Sequence, residues 1–181
     1  MIIKIFTILR DKFYAFLLTG DDYAKYKGVK VGKNCRIITK LFGTEPWLVS
    51  IGDNSAVARG VMFLTHDGST WLIKDEKGRR YSYQPIQIGN NVMIGVNCII
   101  MPGVKIEDNV IVAAGSVVTK SIPQNTIVGG NPAKIIGDFD VHKARILETN
   151  FSEQDMDFSL DYKSRITKVL TNEFKPYLVK K

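Results

Sequence analysis

The sequence has few side chains that could build a metal centre or a covalent framework. Its 181 residues include only two cysteines and two histidines. Two cysteines cannot form the several disulfides that hold small secreted folds together, so Cys35 and Cys98 are interpreted as reduced thiols. His66 and His142 do not supply a three-histidine zinc site within one chain. We therefore expect neither a disulfide framework nor a metal.

A long apolar run is also missing. Residues 1–18 are apolar but are interrupted by Lys4, Arg10, Asp11 and Lys12, and no small-residue cleavage site follows. Neither a membrane span nor a signal peptide is predicted, and we expect a cytoplasmic protein. The segment fits a basic amphipathic helix. Two roles stay open for it: peripheral contact with a membrane surface, or a cap that packs on the open end of the fold.

The charge excess does not identify a macromolecular partner. The formal net charge is +7, but the basic residues are spread over both ends and the middle of the chain without a known nucleic-acid-binding motif. We expect no nucleic acid. A phosphate-rich small ligand would use part of the excess.

The sequence does contain a repeat with a period of six residues. Over residues 88–118 an aliphatic residue returns at every sixth position, and a small or apolar residue follows it by four positions. This period fits neither a helix nor a flat strand and is typical of a coiled strand solenoid. The third position after the aliphatic residue is Asn or Gly in five of six units, and these residues tolerate positive φ at a corner. They are Asn91, Asn97, Gly103, Asn109 and Gly115.

The repeat extends upstream and is interrupted once. It is found again at Val31, Ile51 and Val57, but the unit that begins at Phe63 has a histidine at its corner and Asp67 at its second inward position. Because a carboxylate cannot enter a dry core unpaired, we expect the chain to leave the coil there. The polar excursion covers residues 67–85. The predicted fold is an all-β solenoid with helical extensions, divided into an amphipathic helical segment 1–28, a solenoid 29–137 and a C-terminal helical extension 138–181.

The C-terminal extension carries helix signals. Ser152 and Asp155 have the spacing of a capping box, and apolar residues recur at helical spacing over residues 161–177. An amphipathic helix is predicted there. Helices at both termini would cover strand edges that are otherwise open to association.

Four stretches of the repeat region resemble the hexapeptide-repeat acyltransferases. They are residues 86–95, 100–104, 113–123 and 130–134, the last reading Gly-Asn-Pro-Ala-Lys. Within that family they are most similar to the maltose and galactoside, polysaccharide and streptogramin acetyltransferases. The resemblance covers about residues 29–137. It implies a left-handed parallel β-helix, a homotrimer with active sites between subunits, and acetyl-CoA as the donor.

The resemblance also implies a catalytic residue. The family's general base is a histidine just before the excursion, and the pattern carries over onto His66, the position at which the repeat is interrupted. His66 would take the proton from an acceptor hydroxyl, whose oxygen attacks the thioester carbonyl while N–H donors stabilise the oxyanion. Direct transfer of this kind depends strongly on orientation of the two substrates.

Further site residues follow by the same analogy. Small residues and backbone groups would line the pantetheine tunnel, lysines would approach the CoA phosphates, and a methionine stands where the family often has tryptophan. These cofactor-binding positions are Met93, Gly95, Ala114, Thr119, Lys120, Asn131 and Lys134.

For the acceptor, two carboxylates and two rings are candidates. Glu45 and Asp67 compete as the group that orients His66 or holds the acceptor. Trp71 and Tyr83 could form a wall for stacking a sugar ring, or they could pack against a neighbouring subunit. These alternatives stay open.

The favoured function is an acetyl-CoA-dependent O-acetyltransferase that acts on a sugar hydroxyl in surface polysaccharide biosynthesis. The alternatives are an N-acetyltransferase of an amino-sugar nucleotide, a streptogramin-type antibiotic acetyltransferase and a non-catalytic trimeric scaffold. A scaffold is disfavoured because His66 and the Gly-Asn-Pro-Ala-Lys motif are both present. The γ-type carbonic anhydrases, a related β-helix class, need three histidines and are excluded. The acceptor and the length of the acyl chain stay open.

Overall fold

The chain forms a coil of very short strands with helices at both ends. The computed structural model describes residues 2–171, 173–177 and 179. The helices within those residues are α1 (Ile2–Leu17), α2 (Gly20–Tyr26), α3 (Phe139–Thr149) and α4 (Tyr162–Val169). The strands, in chain order, are β1 (Lys30–Val31), β2 (Arg36–Ile37), β3 (Val49–Ile51), β4 (Ala56–Val57), β5 (Met62–Phe63), β6 (Lys74–Asp75), β7 (Gly78–Arg79), β8 (Ile86–Ile88), β9 (Met93–Ile94), β10 (Ile99–Ile100), β11 (Lys105–Ile106), β12 (Ile111–Val112), β13 (Val117–Val118), β14 (Thr126–Gly129) and β15 (Lys134–Asp138).

Three parallel sheets form the sides of the coil. Sheet 1 has the order β1-β3-β8-β11, sheet 2 the order β2-β4-β9-β12-β14-β15, and sheet 3 the order β5-β10-β13. The chain visits sheets 1, 2 and 3 in turn, and Ile88 pairs with Ile106 one turn later, a separation of three hexapeptides. The predicted solenoid and its parallel pairing are therefore present. Among the described strands of these three sheets, β15 is the one that runs antiparallel to its neighbour, β14.

The interior of the coil is filled by the residues that recur at every sixth position. Residues 88, 94, 100, 106, 112 and 118 of the repeat are all buried, as are the residues four positions later. The corners have the backbone that the sequence predicts: all five Asn and Gly corners of the regular turns have φ between 54° and 77°. Side chains of corner asparagines also bond to each other between turns, for example Asn91 Nδ2 to Asn109 Oδ1 at 2.6 Å.

The outward residues of the three sheets differ in polarity. Sheet 1 presents a polar row, Lys30, Ser50, Gln87 and Lys105. The outward row of sheet 2 is mostly apolar, with Arg36, Ala56, Met93, Ile111 and Ile127. Sheet 3 presents Met62, Ile99 and Val117. Two adjacent sides of the coil are thus apolar and one is polar.

The excursion leaves and re-enters the coil at one place. It contains a short 3-10 helix, Gly68–Leu72, and the two-stranded antiparallel pair β6 and β7. Strand β8 then resumes sheet 1 beside β3, so the register of the coil continues across the insertion.

The N-terminal helices lie on the first turn. Helix α2 buries Tyr23 and Ala24 in the core of the coil. Helix α1 is attached by Asp11, which accepts hydrogen bonds from Lys27 Nζ at 2.8 Å and from the Tyr26 hydroxyl at 3.0 Å. At its C-terminal end, Lys40 Nζ donates to the carbonyl oxygens of Ala15 and Leu18. Unpaired carbonyls at a helix C-terminus are satisfied in this way by a cation.

Residues 1–140 and residues 141–181 form two separate compact units. In the second unit, Ser152 and Asp155 form the predicted capping box, in which the backbone N–H of Ser152 donates to Asp155 Oδ2 at 2.7 Å, but the turn it starts is a single 3-10 turn, Glu153–Asp155. Asp161 caps α4 by accepting from the backbone of Lys163 and Ser164. The prediction of a helix over residues 161–177 was wrong at its end. Helix α4 stops at Val169 and Leu170 is extended, in a stretch where Thr171 and Pro176 are poor helix formers.

No helix among the described residues is both long and apolar enough to cross a bilayer.

Candidate functional site

His66 lies where the excursion leaves sheet 3. Strand β5 ends at Phe63, and Leu64 N–H still donates to Ile100 O of the next turn at 2.9 Å. The two ends of the excursion are then joined by backbone bonds on either side of the histidine, Gln84 N–H to Thr65 O at 2.8 Å and Asp67 N–H to Ser82 O at 3.1 Å. The backbone of His66 is therefore fixed by the coil, although its side chain is exposed.

The imidazole of His66 is held by a carboxylate from the preceding turn. Glu45 Oε2 lies 2.9 Å from His66 Nδ1. The same carboxylate accepts hydrogen bonds from the hydroxyls of Thr65 and Thr44, both at 2.6 Å. The Thr44 hydroxyl also lies 3.4 Å from Nδ1. Because Glu45 is bonded by three groups, its orientation toward the imidazole is constrained.

These contacts keep Glu45 ionised. Partial burial raises the pKa of the Glu45 carboxyl, but hydrogen bonds from Thr44, Thr65 and His66 outweigh it and lower the pKa from 4.5 to about 2. A carboxylate beside Nδ1 favours the tautomer in which Nδ1 carries the proton and donates to Glu45. The lone pair of Nε2 then remains for accepting a proton from another group.

The second candidate carboxylate, Asp67, has a different partner. Its Oδ1 accepts from the backbone N–H of Ser69 at 2.9 Å and caps the 3-10 turn Gly68–Leu72. These bonds from Ser69 lower the pKa of Asp67. Of the two competing carboxylates, Glu45 is thus the one that contacts His66.

Aromatic rings of the excursion stand beside His66. The ring of Tyr83 lies edge-on to the imidazole with 5.9 Å between centroids. Tyr81 stacks nearly parallel to Tyr83 at 6.3 Å, and the Arg79 guanidinium lies 4.6 Å from the Tyr81 centroid. Trp71 is exposed on the 3-10 turn of the excursion.

A cavity of about 420 Å³ opens next to His66. Of the residues predicted from the sequence it brings together His66, Asp67 and Thr119. Its other lining residues were not predicted, and they are Leu64, Gly68, Ser82, Gln84, Met101 and Pro102. Met101, Pro102 and Thr119 all follow strands of sheet 3, so they share the corner between sheets 3 and 1 with His66. Thr65 and Thr44 were also missed, although their adjacency to His66 and Glu45 in the sequence was a usable signal.

The remaining predicted cofactor residues lie elsewhere on the coil. Gly95, Ala114 and Asn131 follow strands of sheet 2 and so occupy the corner between sheets 2 and 3. Met93 is exposed on the outward row of sheet 2, and Lys134 begins β15 at the edge of that sheet. Lys120, by contrast, follows Thr119 at the corner that contains His66. Sheet 3 therefore separates two groups of predicted residues within one chain.

Gly95 has a structural reason to be glycine. A Cβ atom there would lie 2.6 Å from the backbone nitrogen of Ala114 in the next turn. Any side chain would force the two turns apart, whatever is bound outside.

Within the described residues no group of three His, Cys, Asp or Glu side chains is placed to hold a metal ion. The two cysteines are unpaired, and burial raises the pKa of the Cys98 thiol. A buried thiol of raised pKa is a poor nucleophile, so Cys98 acts as a small core residue.

Comparison with known proteins gives one matching family model and three similar proteins. Residues 85–120 match the family model described as the hexapeptide repeat of succinyl-transferase. Protein CapG of Staphylococcus aureus is 42% identical over 165 residues, which cover 90% of this chain and 88% of CapG. The putative lipopolysaccharide biosynthesis O-acetyl transferase WbbJ of Escherichia coli K12 is 32% identical over 108 residues, 55% of each chain. A solved galactoside acetyltransferase in complex with coenzyme A aligns with a TM-score of 0.51 and 33% identity over 70% of this chain and 61% of its own. The chain thus spans most of CapG but less than two thirds of the other two proteins.

Proposed function

This chain belongs to the hexapeptide-repeat acetyltransferases, and we propose that it transfers the acetyl group of acetyl-CoA to a hydroxyl of a sugar acceptor. The observation that carries the proposal is the contact of Glu45 with His66, which lines the 420 Å³ cavity. The choice of donor is supported by the coenzyme A complex of the similar galactoside acetyltransferase. The choice of a sugar is supported by that protein and by WbbJ. For the coil itself, the family likeness supports a left-handed turn.

His66 is the proposed general base. Glu45 holds the proton on Nδ1, and Nε2 accepts the proton of the acceptor hydroxyl as its oxygen attacks the thioester carbonyl. The tetrahedral intermediate collapses with cleavage of the carbon–sulfur bond. The leaving thiolate takes the proton from the imidazolium, which yields an acetyl ester and CoA thiol. Glu45 stabilises the transient imidazolium by its negative charge at 2.9 Å.

The acceptor is proposed to bind between the excursion and the coil. Tyr83 stands beside His66 with its face parallel to Tyr81, and sugar rings pack their apolar faces on such aromatic surfaces. Asp67 lines the cavity, and Trp71 is exposed on the 3-10 helix that follows it. We assign these residues to acceptor binding, and Glu45 to positioning of His66.

The donor is proposed to bind between two chains. His66, Thr119 and Lys120 lie at one edge of sheet 3, and Gly95, Ala114 and Asn131 lie at the other. In a ring of three chains, the sheet 2–3 corner of one chain can face the sheet 3–1 corner of the next, and both groups then border one cleft. Met93 and Lys134 fall on the same side as the second group, where Lys134 offers a point charge to a CoA phosphate.

A homotrimer is also supported by the outward rows of the sheets. The row on sheet 3 is apolar and that on sheet 2 is mostly so, whereas sheet 1 is polar. A heterologous interface joins two different surfaces of each chain and generates a ring when its rotation closes. Two adjacent apolar sides and one polar side suit such a ring, with sheet 1 facing solvent. Use of acetyl-CoA and free thiols at Cys35 and Cys98 support a cytoplasmic site for the reaction.

The test is thiol release from acetyl-CoA with a panel of sugar, amino-sugar and streptogramin acceptors. The wild type is compared with His66→Ala, and the acetylated product is identified by mass spectrometry and by its sensitivity to mild base, which cleaves esters and leaves amides. Acceptor-dependent release of CoA with a base-labile product, lost in His66→Ala, is the expected result. An amide product would assign N-acetylation. Absence of any binding of acetyl-CoA would contradict the proposal.

A further inference from the structure

An apolar stripe on α1 is left exposed by the part of the chain that the structure describes. The stripe consists of Phe6, Leu9, Phe13, Phe16 and Leu17, whose exposed fractions range from 57% to 84%. With 3.6 residues per turn, these five positions fall within an arc of roughly 100°. The opposite side of the helix packs on the core through Tyr14, Ala15 and Leu18. The stripe is therefore held outward by a helix that is fixed to the coil.

The charges around the stripe have one sign. On the same helical projection, Arg10 flanks the stripe on one side and Lys12 on the other, and both side chains are exposed. The carboxylate of Asp11 is turned toward the body of the protein, where Lys27 Nζ lies 2.8 Å from one oxygen and Tyr26 donates to the other. Arg10 approaches that carboxylate only to 3.8 Å. What faces outward is an apolar stripe with a cation along each border.

This arrangement selects among possible occupants. If two copies paired through the stripe about a twofold axis, Arg10 and Lys12 of one copy would lie beside the same cations of the other, which is unfavourable. An anionic bilayer surface satisfies both features, because its acyl region accepts the apolar side chains and its headgroups attract the cations. Trp47 is exposed and borders the same surface depression as Arg10, and tryptophan favours the membrane interface.

From these contacts we infer that α1 docks the protein on an anionic membrane surface, with the stripe inserted at the level of the headgroups and Arg10 and Lys12 bound to lipid phosphates. The inference goes beyond the proposed function and does not depend on it. Docking of α1 would determine where the reaction takes place. Trp47 is two residues from Glu45, so the docked surface lies beside the loop that positions His66.

The experiment is co-sedimentation of the full chain with vesicles of phosphatidylcholine alone and of phosphatidylcholine mixed with phosphatidylglycerol. We expect binding to the mixed vesicles that weakens as salt is added. Phe13→Ser/Phe16→Ser should weaken binding at least about tenfold, because most of the inserted area is lost. Arg10→Gln/Lys12→Gln should weaken it roughly 20- to 30-fold, at about fivefold for each cation near an anionic surface.

Matched variants control for a general loss of apolar surface or charge. Phe151→Ser/Phe174→Ser removes two exposed phenylalanines elsewhere, and Lys143→Gln/Lys163→Gln removes two exposed cations. Both should bind as the wild type does. Because Phe13 and Phe16 are exposed, their double variant should keep the wild-type melting temperature and its thiol release with a soluble acceptor, which separates failure of docking from failure of the enzyme.

Two results would overturn the inference. One is absence of binding to the mixed vesicles. The other is binding that the Phe13→Ser/Phe16→Ser variant retains, and a change of sedimentation coefficient in that variant would then show that a second copy of the chain covers the stripe.

Discussion

The coil has regular turns, from β8 to β14, and one interrupted turn, which contains β5. Both follow the same strand register, but they differ in the residues at their corners. In the regular turns every sixth residue is buried, and the corners with positive φ are occupied by asparagine or glycine. In the interrupted turn the corner holds His66, and its partner Glu45 comes from an irregular corner of the preceding turn. The regular turns therefore carry stability, and the interrupted turn carries polar groups held in place by that stability.

The largest effect should come from removing the polar group of the interrupted turn. His66→Ala should lower the rate of acceptor-dependent thiol release by about 100- to 10,000-fold, the usual contribution of a general base. Its melting temperature should stay close to that of the wild type because the side chain is exposed. Rates and thermal unfolding measured on the same sample test the expected loss of activity and the expected unchanged melting temperature. A matching loss of stability would mean that His66 belongs to the framework.

The reverse pattern is expected in a regular turn. Ile94 is fully buried, and Ile94→Ala should lower the free energy of unfolding by about 2–5 kcal/mol through lost burial and a cavity. Below its melting temperature the variant should retain most of its turnover per folded molecule. Urea unfolding at fixed protein concentration, with Ile94→Val as the milder matched variant, measures the cost. An Ile94→Ala variant that was stable but inactive would contradict the assignment of stability to the regular turns and of activity to the interrupted turn.

Glu45→Gln tests the contact between the turns. The amide cannot stabilise an imidazolium by charge, so we expect a fall in kcat of roughly 10- to 100-fold with a smaller change in KM. Glu45→Asp, which keeps the charge on a shorter side chain, should recover part of the rate. If Gln were as active as Glu, the carboxylate would have no role in positioning His66.

The same residue gives a pH dependence of stability. The pKa of Glu45 is held at about 2 in the folded protein against an ordinary value of 4.5. A lowered pKa stabilises the folded state above pH 4.5, and this contribution is lost as pH falls from about 4.5 toward 2. The stability difference between wild type and Glu45→Gln should therefore shrink over that window in acid unfolding titrations. A difference that stayed constant would place the pKa of Glu45 near its ordinary value.

The smallest effect should come from a corner. Asn109 has φ of 56° and bonds Asn91 and Asn125 in the turns on either side. Asn109→Ala should cost about 1–2 kcal/mol of folding free energy, since alanine is strained in this backbone region and the side-chain bonds are lost. Asn109→Gly should cost less because the strain is absent. Equal costs for the two variants would assign the whole effect to the hydrogen bonds.

Much of this fold was predictable because each six-residue unit repeats the same physical demand. The inward aliphatic positions, the Asn and Gly corners and the departure of the chain at His66 and Asp67 all follow from local residue types. The predictions weakened where the repeat stopped. The end of α4 depended on weak helix propensities, and the small size of Gly95, interpreted as room for a ligand, is already required by the approach of Ala114 from the next turn.

The sequence by itself determined the period of the coil, the place of its interruption and the identity of His66 as the unusual residue there, because these depend on patterns within a few residues. Only the tertiary structure decided between Glu45 and Asp67, since Glu45 reaches His66 across 21 positions of sequence through the stacking of one turn on the next. It also decided that sheet 1 is polar while sheets 2 and 3 present mainly apolar rows, and that the stripe on α1 points outward. Stacking and docking bring distant residues together, and the order of residues along the chain does not encode those distances.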